Sequence, residues 1–119
     1  MVTREIGQQA EQYACEYLEN QGLKLLARNY RCALGEIDLI MRDEQNTVVF
    51  IEVRKRSHPH FATAIESVTH NKQRKIIKTA THYLQKQNWF DKVTCRFDIV
   101  GLSKDEVEWI KDAFSTEDF

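Results

Sequence analysis

The stretch Gly35-Glu36-Ile37-Asp38-Leu39-Ile40, followed by Ile51-Glu52-Val53-Arg54, decides the fold of this 119-residue chain. Both runs alternate aliphatic and charged residues, which is typical of strands. Because side chains alternate between the two faces of a strand, Glu36 and Asp38 are predicted to share one face. The opposite face is predicted to carry the aliphatic residues Ile37, Leu39 and Met41.

The second run places an acid where a buried strand favours an apolar residue. Alternation predicts one face with Val48, Phe50, Glu52 and Arg54 and an opposite face with Val49, Ile51, Val53 and Lys55. A carboxylate among such neighbours is costly to desolvate unless a cation compensates it. Asp38 and Glu52 therefore predict a divalent metal or a basic partner on their shared face.

Helical patterns lie on both sides of these strands. A period near 3.6 predicts a helix from Arg4 to Gln21, ended by Gly22. Its apolar stripe is predicted to comprise Ile6, Ala10, Tyr13, Ala14, Tyr17 and Leu18. Thr69 is predicted to cap a second helix that runs to about Gln87.

Short polar connections join three strand candidates and predict an antiparallel meander. These candidates are Leu23–Cys32, Glu36–Arg42 and Thr47–Arg56. A strand over Val93–Leu102 and a short edge strand over Val107–Ile110 are predicted to follow the second helix. Ser57–Glu66 contains the only proline and lacks a clear period, so it is predicted to be a loop. Four aromatic residues are expected in the core or over a sheet edge: Trp89, Phe90, Trp109 and Phe114.

The spacing of Asp38, Glu52 and Arg54 resembles the PD-(D/E)xK pattern of restriction-endonuclease-like nucleases, in which two acids hold Mg²⁺ and a lysine addresses the scissile phosphate. Further motifs occur in one order along the chain: Gly7-x3-Glu11, Arg28-Asn29-Tyr30-Arg31, Phe50-Ile51-Glu52-Val53-Arg54-x-Arg56, Lys72 and Arg96-Phe97-Asp98. That order resembles the small bacterial YraN family, relatives of the archaeal Holliday-junction resolvases. The resemblance implies an α/β fold with an αβββαβ core, in which helices flank a mixed central sheet, and the predicted elements follow the same order.

The resemblance also implies roles for individual residues. Asp38 and Glu52 would bind Mg²⁺ or Mn²⁺, with the carbonyl of Val53 as a further ligand. Glu36 would lie at the entrance of the same face. Glu11, at the edge of the apolar stripe of the first helix, would be an outer ligand through water.

The chain departs from the family pattern at Arg54, where the lysine is expected. Arginine keeps its charge and can stabilise a phosphate, but it cannot act as a general base. Strand alternation predicts that Lys55 points away from the site and that Arg56 returns to it. The pattern therefore keeps the electrostatic part of the lysine's role and lacks the proton-transfer part.

Charge is distributed unevenly, although the net charge is only −1. Residues 53–78 include seven basic residues and one acid, whereas residues 104–119 include six acids and two lysines. This asymmetry predicts one face that binds a polyanion, most simply DNA, and one that repels it. The predicted nucleic-acid contacts are Arg54, Arg56, Lys72, Lys75 and Lys78.

Length and composition predict a single domain over residues 1–119. No apolar run is long enough to span a bilayer, and residues 1–11 lack a signal-peptide core, so a cytoplasmic protein without membrane contact is expected. Three cysteines without CxxC spacing predict reduced packing thiols. His58 and His60 are expected to be surface residues. A homodimer would suit a two-fold branched DNA, by family analogy alone.

Three functional hypotheses remain open at this stage. The chain is a metal-dependent nuclease acting on DNA phosphodiesters, or a nucleic-acid-binding protein that keeps the nuclease fold without cleaving. The third hypothesis is a structural adaptor in which the acids and arginines form a buried ion-pair network. Metal titration separates the third hypothesis from the first two, and DNA cleavage separates the first from the second.

Overall fold

The computed structural model describes residues 3–55, 61–104 and 106–116, and this part of the chain forms three helices and five strands. The helices are α1 (Thr3–Asn20), α2 (Phe61–Glu66) and α3 (His70–Lys86). The strands are β1 (Lys24–Cys32), β2 (Gly35–Arg42), β3 (Val48–Lys55), β4 (Cys95–Leu102) and β5 (Val107–Phe114). None of the described helices is long and apolar enough to cross a membrane.

The five strands form one sheet in the order β1-β2-β3-β4-β5. The β1–β2, β2–β3 and β4–β5 pairs are antiparallel, which confirms the predicted meander. β3 and β4 are parallel, because α2 and α3 carry the chain back across the sheet between them. The mixed sheet and the αβββαβ order confirm the predicted α/β fold, in which helices flank a central sheet.

Helices on opposite faces of the sheet bury two separate apolar clusters. The α1 side is formed mainly by Ala14, Cys15, Leu18, Leu39, Met41, Val49, Ile51 and Val100. The α3 side is formed mainly by Ile37, Ile40, Val48, Phe50, Ile76, Ala80, Tyr83, Phe97 and Ile99. β3 is central in the sheet and covered on both faces, so its residues 48–51 are all buried. An acid that follows on this strand is therefore held in a fixed position that is largely shielded from solvent.

The predicted helix boundaries are confirmed. Gly22 adopts a positive φ of 101°, and the Leu23 N–H donates to the Leu18 carbonyl at 3.1 Å, a closure that ends α1. At the start of α3, the Thr69 hydroxyl oxygen accepts a hydrogen bond from the Lys72 N–H at 3.2 Å. The turn at Gly22 leads the chain from α1 directly into β1.

Two predicted elements differ in extent. The loop prediction for Ser57–Glu66 is wrong at Phe61–Glu66, which is helical, and residues 56–60 lie outside the described part. A helix of six residues is too short to display a helical period. The edge strand is longer than predicted, because β5 continues from Val107 to Phe114. It does so through a register shift of its β4 partner between Phe97 and Ile99, with Asp112 at a positive φ of 53°.

Three predicted burial positions are also wrong. Ile37 packs on the α3 side, whereas Leu39 and Met41 pack on the α1 side. Pairing between β2 and β3 stops at Leu39, so no second ladder holds Ile37 in phase with the later residues. Tyr13 and Phe90 are exposed at 56% and 44%. Helical phase alone placed Tyr13 in the stripe, but no element of the described part of the chain covers that edge of α1.

A buried ionic cluster fastens the far end of the sheet, and we call it the Asp98 network. The Asp98 carboxylate accepts hydrogen bonds from Arg96 Nε at 3.0 and 3.2 Å, from Trp109 Nε1 at 2.9 Å and from the Asp112 N–H at 2.9 Å. Arg96 Nη1 also donates to Asp43 Oδ2 at 3.0 Å, which ties in the β2–β3 turn. Both oxygens of the fully buried Asp98 side chain are therefore satisfied by protein donors.

Candidate active site

β2 and β3 separate at the point where the predicted acids lie. Their last paired residues are Leu39 and Ile51, and from Glu52 onward β3 pairs only with β4. Asp38 and Glu52 are thus the first residues beyond the shared ladder. The Val53 N–H has no backbone partner on β2, and it donates instead to the side chain of Asp38, at 2.9 Å from Oδ2. This bond satisfies a backbone donor and orients the Asp38 carboxylate toward β3.

A cavity of about 750 Å³ opens at this separation, and we call it the central cavity. α1 supplies one wall and α3 the opposite wall, with the ends of β2 and β3 between them. Its charged lining residues are the acids Glu11, Glu36, Asp38 and Glu52 and the bases Arg54, Lys55, Lys72 and Lys75. Acidic and basic side chains of the described residues therefore share one cavity.

The carboxylates at the base of the cavity are held close together in a dry environment. Glu52 is only 8% exposed, and burial followed by the charge of Asp38 raises its pKa from 4.5 to about 9. Arg54 and Lys72 lower this pKa but do not cancel the effect of burial. Burial also raises the pKa of Glu11, and the charge of Asp38 adds to that rise. Such a cluster strongly favours an added positive charge.

The cationic groups beside these acids are incompletely paired. Arg54 Nη2 lies 3.8 Å from Glu52 Oε2, a distance too long for a hydrogen bond. Among the described residues, the buried Nε and Nη2 atoms of Arg54 have no protein hydrogen-bond partner, and neither does the buried Oε1 of Glu11. Lys72 and Lys75 line the opposite wall from α3 with exposed side chains. The two lysines are therefore accessible from the cavity, whereas the unpaired Arg54 atoms are enclosed by protein.

The structure brings most of the predicted site residues together. The residues that line the central cavity as predicted are Glu11, Glu36, Asp38, Glu52, Val53, Arg54, Lys72 and Lys75. Glu36 lies at the entrance, where its exposed side chain pairs with Arg31 at 3.2 Å. Lys78 is exposed on α3 but does not line the cavity. Arg56, His58 and His60 lie outside the described residues.

Lys55 corrects one prediction, because it contributes to the cavity lining although strand alternation pointed it away. It is the last residue of β3 and is exposed. A long side chain at a strand end is free to reach around the edge of the sheet. Lys55 is therefore a further cation at the rim of the site.

The sequence pattern did not identify two residues that help to position the site. Asn29, in the left-handed region at φ 49°, places its side chain near Glu11 and lowers the pKa of that carboxyl. Asparagine inside a strand pattern was the available signal, since it tolerates this conformation better than most residues. Gly35 lies so close to α3 that an added Cβ would stand 2.9 Å from Thr79 Oγ1. Its lack of a side chain lets β2 begin directly beside α3.

The donor set suits a hard divalent cation with few protein ligands. No group of three or more histidine, cysteine or acidic side chains in the described ranges is arranged to hold a metal alone. Asp38 and Glu52 offer carboxylate oxygens, and the Val53 carbonyl faces the same gap as its N–H, because both groups of a strand residue point to one side. Two carboxylates, one carbonyl and retained waters match the preference of Mg²⁺ for oxygen ligands.

We expect the buried Glu52 to make the metal-free protein less stable as the pH rises. The unfolded chain releases this proton near the ordinary pKa of 4.5, whereas the folded protein keeps it until about pH 9. Between these values the folded state binds more protons, so the free energy of unfolding falls by up to about 1.4 kcal/mol per pH unit. Urea unfolding in EDTA at pH 6, 7 and 8 measures this slope.

Glu52→Gln should flatten that pH dependence, because glutamine cannot ionise. Glu36→Gln is the matched control, since Glu36 lines the same cavity but is exposed, and it should leave the slope unchanged. Identical slopes for the parent and for Glu52→Gln would show that Glu52 is not the protonated group.

Comparison with known proteins gives one family and several close relatives. The sequence model described as "Uncharacterised protein family UPF0102" matches residues 10–102. A UPF0102 protein of Coxiella burnetii (strain RSA 331 / Henzerling II) is 51% identical over 117 residues, covering 98% of this chain and 97% of the relative. One from Nitrosococcus oceani is 49% identical over 118 residues, covering 96% and 94%. One from Legionella pneumophila (strain Corby) is 46% identical over 115 residues, covering 95% and 97%.

Two solved structures show a weaker likeness. A chain from the structure of an EndoMS-dsDNA2 complex has a TM-score of 0.36 and 19% identity, covering 84% of this chain. Pyrococcus furiosus SfsA in complex with Ca²⁺ has a TM-score of 0.33 and 14% identity, covering 92% of this chain. The present chain spans 46% of the first of these chains and 63% of the second.

Proposed function

We propose that this chain, which belongs to the UPF0102 family, acts on DNA phosphodiesters through a metal-dependent, nuclease-like site in the central cavity. UPF0102 is the YraN family that the sequence motifs resemble, so the predicted family is confirmed. Within this proposal, one side of the cavity binds a divalent cation and the other side binds a phosphate. The residues proposed for the cation-binding side and for the phosphate-binding side are given below.

The contrast between two ionic clusters in the same chain carries the proposal. In the Asp98 network, the Asp98 carboxylate accepts hydrogen bonds from three different protein donors, as a structural cluster requires. In the central cavity, buried atoms of Glu11 and Arg54 lack hydrogen-bond partners among the described residues. Burial and the charge of Asp38 raise the pKa of Glu52. A cluster selected for stability would pair these groups. Groups left available for ligands are typical of a functional site.

The same contrast argues against a structural adaptor. That hypothesis requires the acids and arginines of the two strands to bond one another. Glu52 and Arg54 form only a loose ion pair at 3.8 Å without a hydrogen bond, and Glu36 pairs with the exposed Arg31 rather than with a buried partner.

The cation would be held by Asp38, Glu52 and the Val53 carbonyl, with Glu11 near enough to orient a bound water. A divalent ion bound there would polarise the phosphodiester and lower the pKa of an attacking water. The chain's own contribution is to keep the three acids fixed and desolvated. Val53 holds Asp38 through its N–H, and the rigid β3 holds Glu52.

The phosphate would be bound by the cations that face these acids. Arg54 lines the cavity with a side chain that is 21% exposed, and a guanidinium can bind two phosphate oxygens. Lys72 and Lys75 approach from the N-terminal half of α3, where backbone dipoles add positive potential. DNA that enters the cavity thus meets cations from two elements on the side opposite Glu11.

A second candidate function is DNA binding without cleavage, and Arg54 is the observation that favours it. Arg54 takes the place of the lysine in the nuclease pattern, and a guanidinium stays protonated under all ordinary conditions. If the reaction needs a proton acceptor at this position, the cavity would bind metal and DNA but turn over very slowly.

We expect the affinity for duplex DNA to depend steeply on salt. If about four cations contact phosphates, log K should fall against log salt with a slope near −3.6, since each contact contributes about −0.9. Replacing Lys72 and Lys75 with alanine should flatten the slope by about 1.8. Fluorescence anisotropy of a labelled duplex at a series of salt concentrations measures both values.

The matched control is the double substitution of Lys86 and Lys92 by alanine. Both residues are exposed and outside the cavity, and their replacement changes the net charge by the same amount. The control should keep the parent slope. No DNA binding at low salt, or equal slopes for the two double variants, would reject the proposed DNA surface.

A further inference from the structure

A second, smaller cavity lies beside the central cavity, along the edge of α1. Its volume is about 350 Å³, and it shares Ala10 and Lys55 with the central cavity. Gln9 and Tyr13 of α1 form one side, and the turn from β4 to β5 forms the other. We call it the Tyr13 cavity. Because two residues line both cavities, the cavities lie side by side.

Tyr13 is the unusual residue of this cavity. Its side chain is 56% exposed, more than any other large hydrophobic residue in the described part of the chain. The next residue, Ala14, and Leu18 one turn later are fully buried against the sheet. α1 is therefore anchored without Tyr13, which leaves an aromatic ring over an open cavity instead of in the core. An exposed aromatic ring in a cavity indicates a binding role more than a packing role.

The chemistry of the cavity combines an apolar floor with a cationic rim. Leu102 and Val107 provide apolar surface. Among the described residues, Lys55 and Lys104 lie on the rim together with the acid Glu106, and Lys104 belongs to a segment that is otherwise mostly acidic. An aromatic face flanked by lysines is the arrangement with which proteins bind single-stranded nucleic acid, by stacking on the base and pairing with the phosphate.

We propose that the Tyr13 cavity binds one unpaired nucleotide of the DNA whose phosphodiester occupies the central cavity. The base would stack on Tyr13, and its phosphate would contact Lys55 and Lys104. This inference rests on the proposed function and adds a substrate class to it. The substrate carries a single-stranded arm next to the reacting phosphate, as in forked, flapped or branched DNA, rather than being a continuous duplex.

The test compares two DNA probes and four proteins. One probe is a blunt duplex, and the other is the same duplex with a single-stranded arm that carries 2-aminopurine at its first unpaired positions. The proteins are the parent, Tyr13→Ala, Tyr13→Phe and the control Phe90→Ala, which removes another exposed aromatic that lies outside both cavities. Affinity is measured by anisotropy with Ca²⁺ present, and stacking is measured by quenching of 2-aminopurine fluorescence.

We expect Tyr13→Ala to weaken binding of the forked DNA about tenfold and to abolish the quenching, while binding of the blunt duplex is unchanged. Tyr13→Phe and Phe90→Ala should behave like the parent, because stacking needs a ring at position 13 and none at position 90. Circular dichroism of Tyr13→Ala should match the parent, since the side chain is exposed.

Different failures have different meanings. Equal affinity of the parent and Tyr13→Ala for the forked DNA overturns this inference and leaves the proposed function intact. Absence of binding to either DNA by the parent overturns both. A concentration-dependent dimer that Tyr13→Ala dissociates would assign the cavity to a second copy of the chain and would also overturn the inference.

Discussion

Arg54→Lys should cleave DNA roughly 10²-fold faster than the parent chain in the presence of Mg²⁺ or Mn²⁺. The parent arginine stands beside Glu52 with buried N–H groups that lack protein partners, so it can stabilise a phosphate but cannot accept a proton. Lysine keeps the charge and can also lose its proton in a desolvated position. DNA affinity should therefore change little, while turnover increases.

The measurement is single-turnover cleavage of duplex, forked and branched DNA by both proteins. Arg42→Lys is the matched control, because Arg42 lies at the other end of β2 and does not line the central cavity. It should leave the cleavage rate unchanged. Equal rates for the parent and Arg54→Lys would show that no proton acceptor is needed at this position. If neither protein cuts any substrate while both bind, the non-catalytic candidate is correct.

Replacing Asp38 by asparagine and Glu52 by glutamine should abolish the rise in melting temperature that Mn²⁺ or Mg²⁺ produces in the parent. A cation that binds only the folded state stabilises it by RT ln(1 + c/Kd), where c is the concentration of free cation. The two substitutions remove both carboxylates at the strand separation but preserve the shape of the cavity. Differential scanning fluorimetry across a metal series measures the effect.

The double variant should remain folded, because Glu52→Gln removes a buried group that resists ionisation. Glu36→Gln provides the control, since Glu36 is exposed and paired with Arg31. Its metal-induced shift should equal that of the parent. A full shift in the double variant would place the bound metal elsewhere on the protein.

The elements of this fold were predictable because their signals are local. Alternation identified the three strands, Gly22 and Thr69 marked helix ends, and short polar connections gave the meander. The shared face of Asp38 and Glu52 also follows from alternation, once the two strands are paired in the observed register. These features depend on residues close in sequence, so the pattern of the chain determines them.

The features that remained unpredicted depend on distant parts of the chain. β3 separates from β2 beyond Ile51 but stays paired with β4, a partner more than forty residues away in sequence. The exposure of Tyr13 depends on which element covers α1, and the placement of Lys55 depends on where β3 ends. Alternation treats every strand as flat and continuous, so it misplaced Ile37 and Lys55 at the points where the sheet opens.

We propose that the acids at the strand separation form a binding site for a divalent cation. Titration of Mn²⁺ at neutral pH, followed by the electron paramagnetic resonance signal of the free ion, measures this binding. We predict one weakly bound Mn²⁺ per chain in the parent and in Glu36→Gln, and none in the variant with Asp38→Asn and Glu52→Gln. Binding of Mn²⁺ by that double variant with the affinity of the parent, or no binding by the parent, would contradict the claim.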